Sequence, residues 1–253
     1  MEEKQVTRSF RVIKWIVQKV YFKWKVSGAE LLPEEPCVLV GNHCQIHGPL
    51  ACEFYTPIPR ATWCAGQMME WKEVPGYAFQ DFWSQKPKWT HPFFKLASYL
   101  ITPLAVCIFN NAYTIPVWRD TRIIQTFKKT ISCLQDGRSV VIFPEYDAPC
   151  NNILYAFQDR FIDVAKYYYN KTGKELLFVP MYLAPSLRTM YFGEGVRFHA
   201  DAPLKEERER ICREMTERIT DLARSLPRHR VTPYRNIPKR LYPYNTDQQG
   251  ESL

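Results

Sequence analysis

A short segment near the start of the chain places two histidines where imidazole chemistry is expected. His43 and His47 lie in VGNHCQIHGPL, residues 40–50, after an apolar run and beside a Gly-Pro pair. A neutral imidazole can remove a proton near neutral pH, because its pKa lies close to the working pH. We therefore predict that His43 is a general base in a turn that follows a strand. No carboxylate that would orient its ring lies between residues 40 and 50.

Three further polar segments follow predicted strands. In open α/β sheets, ligands bind beyond the carboxyl ends of the strands, so segments at these ends are expected to share one site. The segments are Val117-Trp118-Arg119-Asp120, Phe143-Pro144-Glu145 and Val179-Pro180. Together with Asn42-His43, they predict a site that holds a base, a cation and at least one carboxylate.

The order and spacing of these segments resemble those of the glycerolipid acyltransferases of the lysophosphatidic acid (1-acylglycerol-3-phosphate) acyltransferase type. Asn42-His43, four residues and Gly48-Pro49 match the family's Asn-His block, which ends in Asp-Pro. Ile115–Arg119 matches its Ile-Pro-Val-x-Arg block, and Val179-Pro180 matches its Val-Pro strand. Phe143–Glu145 matches the beginning of its Phe-Pro-Glu-Gly-Thr-Arg block. The likeness runs from about residue 10 to about residue 226.

The resemblance implies transfer of a fatty acyl group from an acyl-CoA or acyl carrier protein thioester to a hydroxyl of a lysophospholipid or related glycerolipid. It implies an enzyme of phospholipid biosynthesis without a bound cofactor or metal. His43 would be the general base, Arg119 would hold the acceptor's phosphate through its fork of donors, and Glu145 would shape the acceptor side. The further substrate-binding residues that the resemblance implies are Asn42, Phe143, Pro144, Tyr146 and Pro180.

Two positions of this site depart from the family pattern. Gly48 stands where the family has the aspartate that fixes the histidine tautomer, and Ala148 stands where it has a phosphate-binding arginine. Loss of the corresponding aspartate in a serine-protease triad costs ~10⁴-fold in turnover. We predict that Asp147, or failing it Glu145, replaces this carboxylate and orients His43, because both loops are expected to face one cleft.

These departures leave two alternatives open. The chain is then either a catalytically impaired member of the family that binds lipid or acyl chains at a membrane, or an acyltransferase for an acceptor without phosphate. His47 is interpreted as a polar loop residue rather than a second base. Cys44 is disfavoured as a nucleophile, because the sequence offers it neither an oxyanion hole nor a third partner.

Composition narrows the class of protein. The chain has 253 residues and is 46% apolar and 15% aromatic, which is sufficient for a large buried core. Its eight cysteines include no C-x-x-C pair, so they predict reduced thiols in a cytoplasmic protein rather than zinc ligands or disulfides. The 34 basic against 26 acidic residues indicate an anionic partner. Since no zinc module, basic zipper or RNA-binding signature is present, we predict phospholipids rather than nucleic acid.

The N-terminal residues predict a basic amphipathic helix. Apolar residues recur there at spacings of three and four, and no acidic residue lies between Lys4 and Lys25. The apolar positions are Phe10, Ile13, Val17, Val20 and Trp24. Such a helix suits a membrane interface with anionic headgroups, so we predict a peripheral protein on the cytoplasmic face of a membrane. A helix that packs on its own domain is the alternative.

Strands alternate with helices along the chain, which predicts a single α/β domain with a mixed, largely parallel central sheet flanked by helices. We assign residues 1–30 to the amphipathic helix, 31–226 to an acyltransferase-like domain and 227–253 to an irregular tail. Thr189–Phe198 is predicted to be a short hairpin, and the uncharged run Leu96–Trp118 is predicted to be buried or to dip into a membrane. The aromatic segment at residues 71–89 receives no assignment.

Overall fold

The structure is a computed structural model that describes residues 6–84, 86–118 and 120–246. The predicted fold class, an α/β domain with a mixed and largely parallel sheet, is confirmed. Within it, the chain forms two compact units. The smaller unit contains the chain before Phe22 and Ala61–Thr130, and the larger unit contains Phe22–Arg60 and the residues after Thr130.

The strands and helices are numbered in chain order. The strands are β1 (Lys25–Ser27), β2 (Val38–Gly41), β3 (Arg60–Ala65), β4 (Thr114–Val117), β5 (Ser139–Ile142), β6 (Glu145–Pro149), β7 (Tyr155–Phe157), β8 (Leu177–Ala184), β9 (Thr189–Phe192) and β10 (Val196–Arg197). The helices are α1 (Arg8–Val20), α2 (His47–Tyr55), α3 (Val74–Ala78), α4 (His91–Asn111), α5 (Ile123–Gln135), α6 (Asp163–Thr172) and α7 (Leu204–Arg224).

The larger unit is built on a sheet with the strand order β1-β9-β8-β2-β5. β2 lies between β8 and β5 and is parallel to both, with Val40 beside Ile142 on one side and Pro180 on the other. All four residues of β2 and all four of β5 are buried, as is typical of central parallel strands. Because these strands run in the same direction, the residues after β2 and β5 meet at one edge of the sheet.

Helix α7 covers one face of this sheet. Its buried apolar residues recur every fourth position, which places them on one side of the helix against β8. These residues are Ile211, Met215, Ile219 and Ala223. The sequence predicts a charged helix over Pro203–Leu226 with Ile211, Met215, Ile219 and Leu222 facing inward. The burial of the first three residues confirms this face, and Leu222 is half-buried.

The predicted hairpin at Thr189–Phe198 is wrong. β9 and β10 both pair with β8, at different places along it: β9 with Met181–Ala184 and β10 with Leu177–Phe178. Both pairings are antiparallel, and β8 has eight residues, which is long enough to hold both partners. The turn at Gly193–Gly195 therefore joins two strands that each pair with β8 and not with each other.

The smaller unit pairs β3 with β4 in parallel and surrounds a small apolar cluster. Met68 and Val74 meet Ala105 and Val106 of α4 in this cluster. The segment that received no assignment forms α3 and a π-helical turn at Phe79–Trp83. Helix α1 ends at Val20, so Trp24 does not belong to the predicted amphipathic helix.

Residues 227–246 contain neither an α-helix nor a strand, but they are packed against the larger unit by buried groups; residues 247–253 lie outside the described part of the chain. Asn245 is fully buried, and its amide donates to the carbonyl oxygens of Ala223 (2.8 Å) and Leu226 (3.2 Å). Its side-chain oxygen accepts the backbone N–H of His229 at 2.8 Å. This segment is thereby fastened to the end of α7.

The ring of His229 adds a second anchor. Nδ1 lies 2.8 Å from the carbonyl oxygen of Pro227, which can only accept, so Nδ1 carries the proton. Nε2 then accepts from the hydroxyl of Tyr182 in β8 at 2.8 Å. Burial lowers the pKa of His229, which keeps this neutral tautomer in place.

The replacement Asn245→Ala is expected to lower the free energy of unfolding by about 1–3 kcal/mol, because it leaves the buried N–H of His229 without an acceptor. Chemical denaturation measures the change. Asn170→Ala, at an exposed position of α6, is the matched control and is expected to have little effect. Equal stabilities of the two variants would contradict the role of Asn245.

Candidate active site

Asn42 fixes the loop that follows β2. Its side-chain oxygen accepts the backbone N–H of Leu183 at 2.7 Å, and its amide donates to the Leu183 carbonyl oxygen at 3.0 Å. The same amide lies 2.8 Å from the sulfur of Cys44. The residue is only 2% exposed. Asn42 therefore ties the end of β2 to β8 and positions its neighbour His43, and its contact with substrate stays a prediction.

The chain reverses sharply after His43. Cys44 and Gln45 both have positive φ angles, 48° and 56°, a left-handed conformation that residues other than glycine adopt at a cost. The backbone N–H of His47 closes the turn on the Cys44 carbonyl oxygen at 3.0 Å, and α2 begins there. The thiol of Cys44 is buried and donates to the Leu183 carbonyl oxygen at 3.2 Å. Burial raises its pKa, so Cys44 is a structural thiol.

The imidazole of His43 lies among aromatic rings. The ring of Phe143 packs edge-on against it with the centroids 5.2 Å apart, and the ring of Tyr234 does so at 6.0 Å. Among the described residues, neither ring nitrogen has a hydrogen-bond partner. Burial lowers the pKa of His43 to about 4, because desolvation disfavours the charged ring. The imidazole is therefore neutral at pH 7.

Glu145 binds the backbone of His43 and not its ring. One carboxylate oxygen accepts the N–H of His43 at 2.6 Å, and the other accepts the N–H of Tyr155 at 2.9 Å. Burial raises the pKa of Glu145 to about 7, although both N–H groups favour the charged form. The structure thus brings Glu145 and His43 together, but the predicted hydrogen bond from Glu145 to the imidazole is not formed.

Asp147 has a different partner. Its carboxylate forms a two-point ion pair with the guanidinium of Arg235, in which Nη2 lies 2.8 Å from Oδ2 and Nε contacts Oδ1. Both side chains are more than half exposed, and the hydrogen bonds from Arg235 lower the pKa of Asp147. The predicted hydrogen bond from Asp147 to the imidazole is not formed, because its carboxylate faces Arg235.

The backbone around Gly48 shows why a carboxylate is missing from this position. A Cβ atom at Gly48 would lie 2.1 Å from the carbonyl oxygen of His43 and 3.0 Å from its carbonyl carbon. The first turn of α2 therefore approaches the His43 carbonyl more closely than any side chain permits. Replacement of the glycine alone cannot supply the acid, since the loop itself would have to move.

The other predicted site residues lie in different surroundings. Phe143 packs on the imidazole, Pro144 is buried beside it in sequence, and Tyr146 is exposed at the start of β6. Pro180 was predicted to lie at a strand end, but β8 continues to Ala184 and Pro180 is buried beside Val40 of β2. Its contact with substrate stays a prediction. Arg119 lies outside the described residues.

Sequence reasoning missed three residues of the C-terminal segment. Tyr234 contacts the imidazole of His43, and Arg235 holds Asp147. The amide of Gln45 donates to the carbonyl oxygen of Arg235 at 3.0 Å and to the hydroxyl of Tyr242 at 3.1 Å. The one signal for these residues was the concentration of tyrosine and arginine in VTPYRNIPKRLYPYN, which has neither helical nor strand periodicity.

No family model matches the chain. No curated protein matches it at a significant level. Among solved structures, the chain is similar to the 1-acyl-sn-glycerophosphate (LPA) acyltransferase PlsC from Thermotoga maritima, with 14% sequence identity and a TM-score of 0.44. The similarity covers 88% of this chain and 84% of that chain. At this level of similarity, the function has to be inferred from the chemistry of the site.

The replacement Gly48→Asp is expected to destabilise the protein rather than to restore an acid–imidazole pair. The new Cβ would overlap the His43 carbonyl oxygen, and overpacking of this kind costs about 1–3 kcal/mol. Thermal or chemical denaturation measures the loss. Gly76→Asp is the control, because a Cβ at Gly76 meets no atom within 4 Å. A Gly48→Asp protein as stable as wild type would show that this loop conformation is wrong.

Proposed function

We propose that this protein is an O-acyltransferase that moves a fatty acyl group from an acyl-CoA or acyl carrier protein thioester to a hydroxyl of a lysophospholipid or related glycerolipid. The observation that carries the proposal is the imidazole of His43, held directly after β2 and kept neutral by burial. A neutral ring is the protonation state that a general base requires. The sequence blocks that resemble the glycerolipid acyltransferases include this same histidine.

In the proposed reaction, His43 takes the proton of the acceptor hydroxyl as the hydroxyl oxygen attacks the thioester carbonyl. The carbon–sulfur bond then breaks, and the imidazolium returns its proton to the leaving thiolate. The ring ends the cycle neutral, so no covalent enzyme intermediate is required. Glu145, whose carboxylate lies 2.6 Å from the backbone nitrogen of His43, supplies negative charge beside the imidazolium when it is ionised.

The acceptor headgroup is a separate part of the proposal. Arg119 remains the predicted ligand of an acceptor phosphate, because a guanidinium binds phosphate oxygens through two parallel hydrogen bonds. An acceptor without phosphate is the alternative. It is favoured by Ala148 in β6, which offers no charge where the related sequences place an arginine.

A second candidate function is binding of lipid or acyl chains without turnover. One observation favours it: a histidine with a pKa of about 4 is a weak base, and no carboxylate among the described residues orients its ring. In this case the aromatic surroundings of His43 would line a binding site, and the histidine would not transfer a proton.

We further propose that the protein acts at a membrane surface, through a face of the smaller unit formed by α1 and α4. The two helices contact each other, and the backbone N–H of Thr7 donates to the side-chain oxygen of Asn111 at 2.9 Å. Each helix exposes apolar side chains, and on α1 only Val20 of the predicted apolar face is among them, since Phe10 is buried and Ile13 and Val17 are half-buried. The exposed apolar residues are Val12, Trp15, Ile16 and Val20 of α1, and Phe93, Leu96, Tyr99, Leu100 and Leu104 of α4. A surface of this kind suits burial in lipid.

The charges around this face favour anionic lipid. No aspartate or glutamate occurs in residues 8–20 or 88–111, whereas α1 carries Arg8, Arg11, Lys14 and Lys19, and Lys88 and Lys95 lie at the start of α4. Residues Lys88–Asn111 are long and apolar enough to cross a membrane by length and composition. We propose that α4 lies in the membrane interface instead, because its opposite side packs on α3 and the small apolar cluster.

The proposed activity is tested by consumption of a long-chain acyl-CoA in the presence of a panel of lysophospholipid and glycerolipid acceptors. We expect His43→Ala to lower kcat/KM by about 10²–10⁴-fold, the usual contribution of a general base. Asp147→Ala is expected to lower kcat/KM less than His43→Ala does, since Asp147 does not contact the imidazole. His199→Ala, at an exposed histidine of the same unit, is the control and should leave the rate unchanged. Equal rates for wild type and His43→Ala would exclude His43 as the base.

The pH dependence provides a sharper measurement within the same assay. Because the pKa of His43 is lowered to about 4, its ring stays deprotonated as the pH falls below 6.5. We therefore expect kcat/KM to fall only in part near pH 7, where Glu145 is protonated, and to be lost near pH 4, whereas a solvated histidine would lose all activity near pH 6.5. No turnover at any pH with the whole acceptor panel would favour the lipid-binding alternative.

Membrane binding is tested by sedimentation with phosphatidylcholine vesicles with and without phosphatidylserine. We expect tighter binding to the anionic vesicles, weakened by salt. Leu100→Glu should weaken binding about ten-fold or more, because Leu100 is 72% exposed and its burial in lipid would be lost. Ile124→Glu in α5 is the matched control, because Ile124 is also an exposed apolar residue of the smaller unit. Equal effects of the two variants would contradict the proposed face.

A further inference from the structure

The C-terminal segment forms a loop whose two ends are fastened together. The backbone N–H of Val231 donates to the carbonyl oxygen of Pro243 at 2.9 Å, and Arg230 forms an antiparallel bridge with Tyr244. The N–H of Asn245 continues this pairing to the His229 carbonyl oxygen at 3.1 Å. We call residues 232–243 the cover loop, and residues 229–231 with 244–245 its neck. Compact loops with adjoining ends are Ω-loops, which frequently carry function.

The cover loop lies against the loop that holds His43. Tyr234 packs edge-on against the imidazole, and its ring lies 5.6 Å from the ring of Tyr155. Gln45, in its left-handed conformation, donates to both sides of the cover loop, at Arg235 and at Tyr242. Positive charge on Lys239 also lowers the pKa of His47 at the start of α2, after the larger effect of burial. The cover loop therefore packs on His43 and acts electrostatically on His47.

The neck and the tip of the cover loop are held by different kinds of contact. The neck uses buried groups: His229, Val231 and Asn245 are each less than 5% exposed. The tip is exposed at residues 235, 236 and 238–241, and it is held by the ion pair between Arg235 and Asp147, two hydrogen bonds from Gln45 and the ring contacts of Tyr234. Exposed ion pairs contribute little to stability, and segments with few buried contacts open at low free energy. The tip is therefore expected to open at a lower free energy than the neck.

We propose that the cover loop is a lid that pivots on its neck and controls access to the imidazole of His43, with the Asp147–Arg235 ion pair as its latch. Tyr234 packs edge-on against one side of the ring, so an acceptor hydroxyl that approaches from that side enters beside Tyr234. The lid concerns access to the site of the proposed function and does not depend on acyl transfer. It also gives Asp147 a role: the residue holds the cover over the histidine instead of orienting the ring.

The test measures how fast His43 reacts with diethyl pyrocarbonate, which modifies neutral imidazoles, by mass spectrometry of the full chain. The exposed His199 is the internal reference in each sample. His43 is half-buried, so we expect it to label more slowly than His199 in the wild type. Asp147→Asn and Arg235→Gln should each speed it about two- to five-fold, the range expected for release of one exposed ion pair. The double variant should label no faster than either single variant, because both remove the same contact.

Two further variants separate the lid from general loosening. Tyr234→Ala should speed labelling of His43 about ten-fold or more through loss of two ring contacts, while Tyr234→Phe should keep the slow rate. Arg197→Gln is the matched control, because it breaks an exposed ion pair with Glu35 in the same unit, away from the cover loop. It should leave the rate unchanged.

The outcomes distinguish the lid from the proposed activity. A His43 labelling rate that is the same in the wild type, the latch variants and Tyr234→Ala would overturn the lid, whether or not the protein turns over thioester. Equal acceleration by Arg197→Gln would also overturn it, since the effect would not belong to the latch. Accelerated labelling in the latch variants would support the lid even if no acceptor in the panel is acylated.

Discussion

The site depends on one buried carboxylate that accepts two backbone N–H groups. Glu145 joins the loop after β2, through His43, to the start of β7, through Tyr155. Burying a carboxyl group is unfavourable unless such partners are present, and burying the two N–H groups without an acceptor would be unfavourable as well. Each part of the arrangement therefore requires the others. The position of the imidazole follows from this clamp on its own backbone.

As a consequence, a carboxylate holds the backbone of His43, whereas aromatic side chains surround its ring. The acid nearest to His43 in the hydrogen-bond network fixes the main chain, while the ring is surrounded by Phe143 and Tyr234. Aromatic contacts orient a ring through shape and weak edge interactions, but they do not stabilise a positive charge as strongly as a carboxylate does. This is why burial dominates the pKa of His43, and why the ring is neutral over the ordinary pH range.

The sequence was informative where structure is dictated locally. β2 and β5 are buried apolar runs and were predicted, as was α7 from its four-residue spacing, because burial leaves a periodic trace in the residue types. The partner of Asp147 was not predicted, because Arg235 is 88 residues away and lies in a segment without periodicity. Pro180 was misplaced for a similar reason: a proline often ends a strand, and its burial in the middle of β8 depends on the neighbouring strands.

The contact between Gly48 and the His43 carbonyl limits how this loop can change through amino-acid substitution. A loop with an acidic residue at position 48 and the loop seen here differ in both backbone path and side chain. A single substitution cannot convert one loop into the other, because it would leave the turn overcrowded. Exchange between them therefore requires a shift of the backbone between His43 and Gly48, the segment that contains the left-handed residues Cys44 and Gln45. The two loop conformations are thus separated by an unstable intermediate sequence.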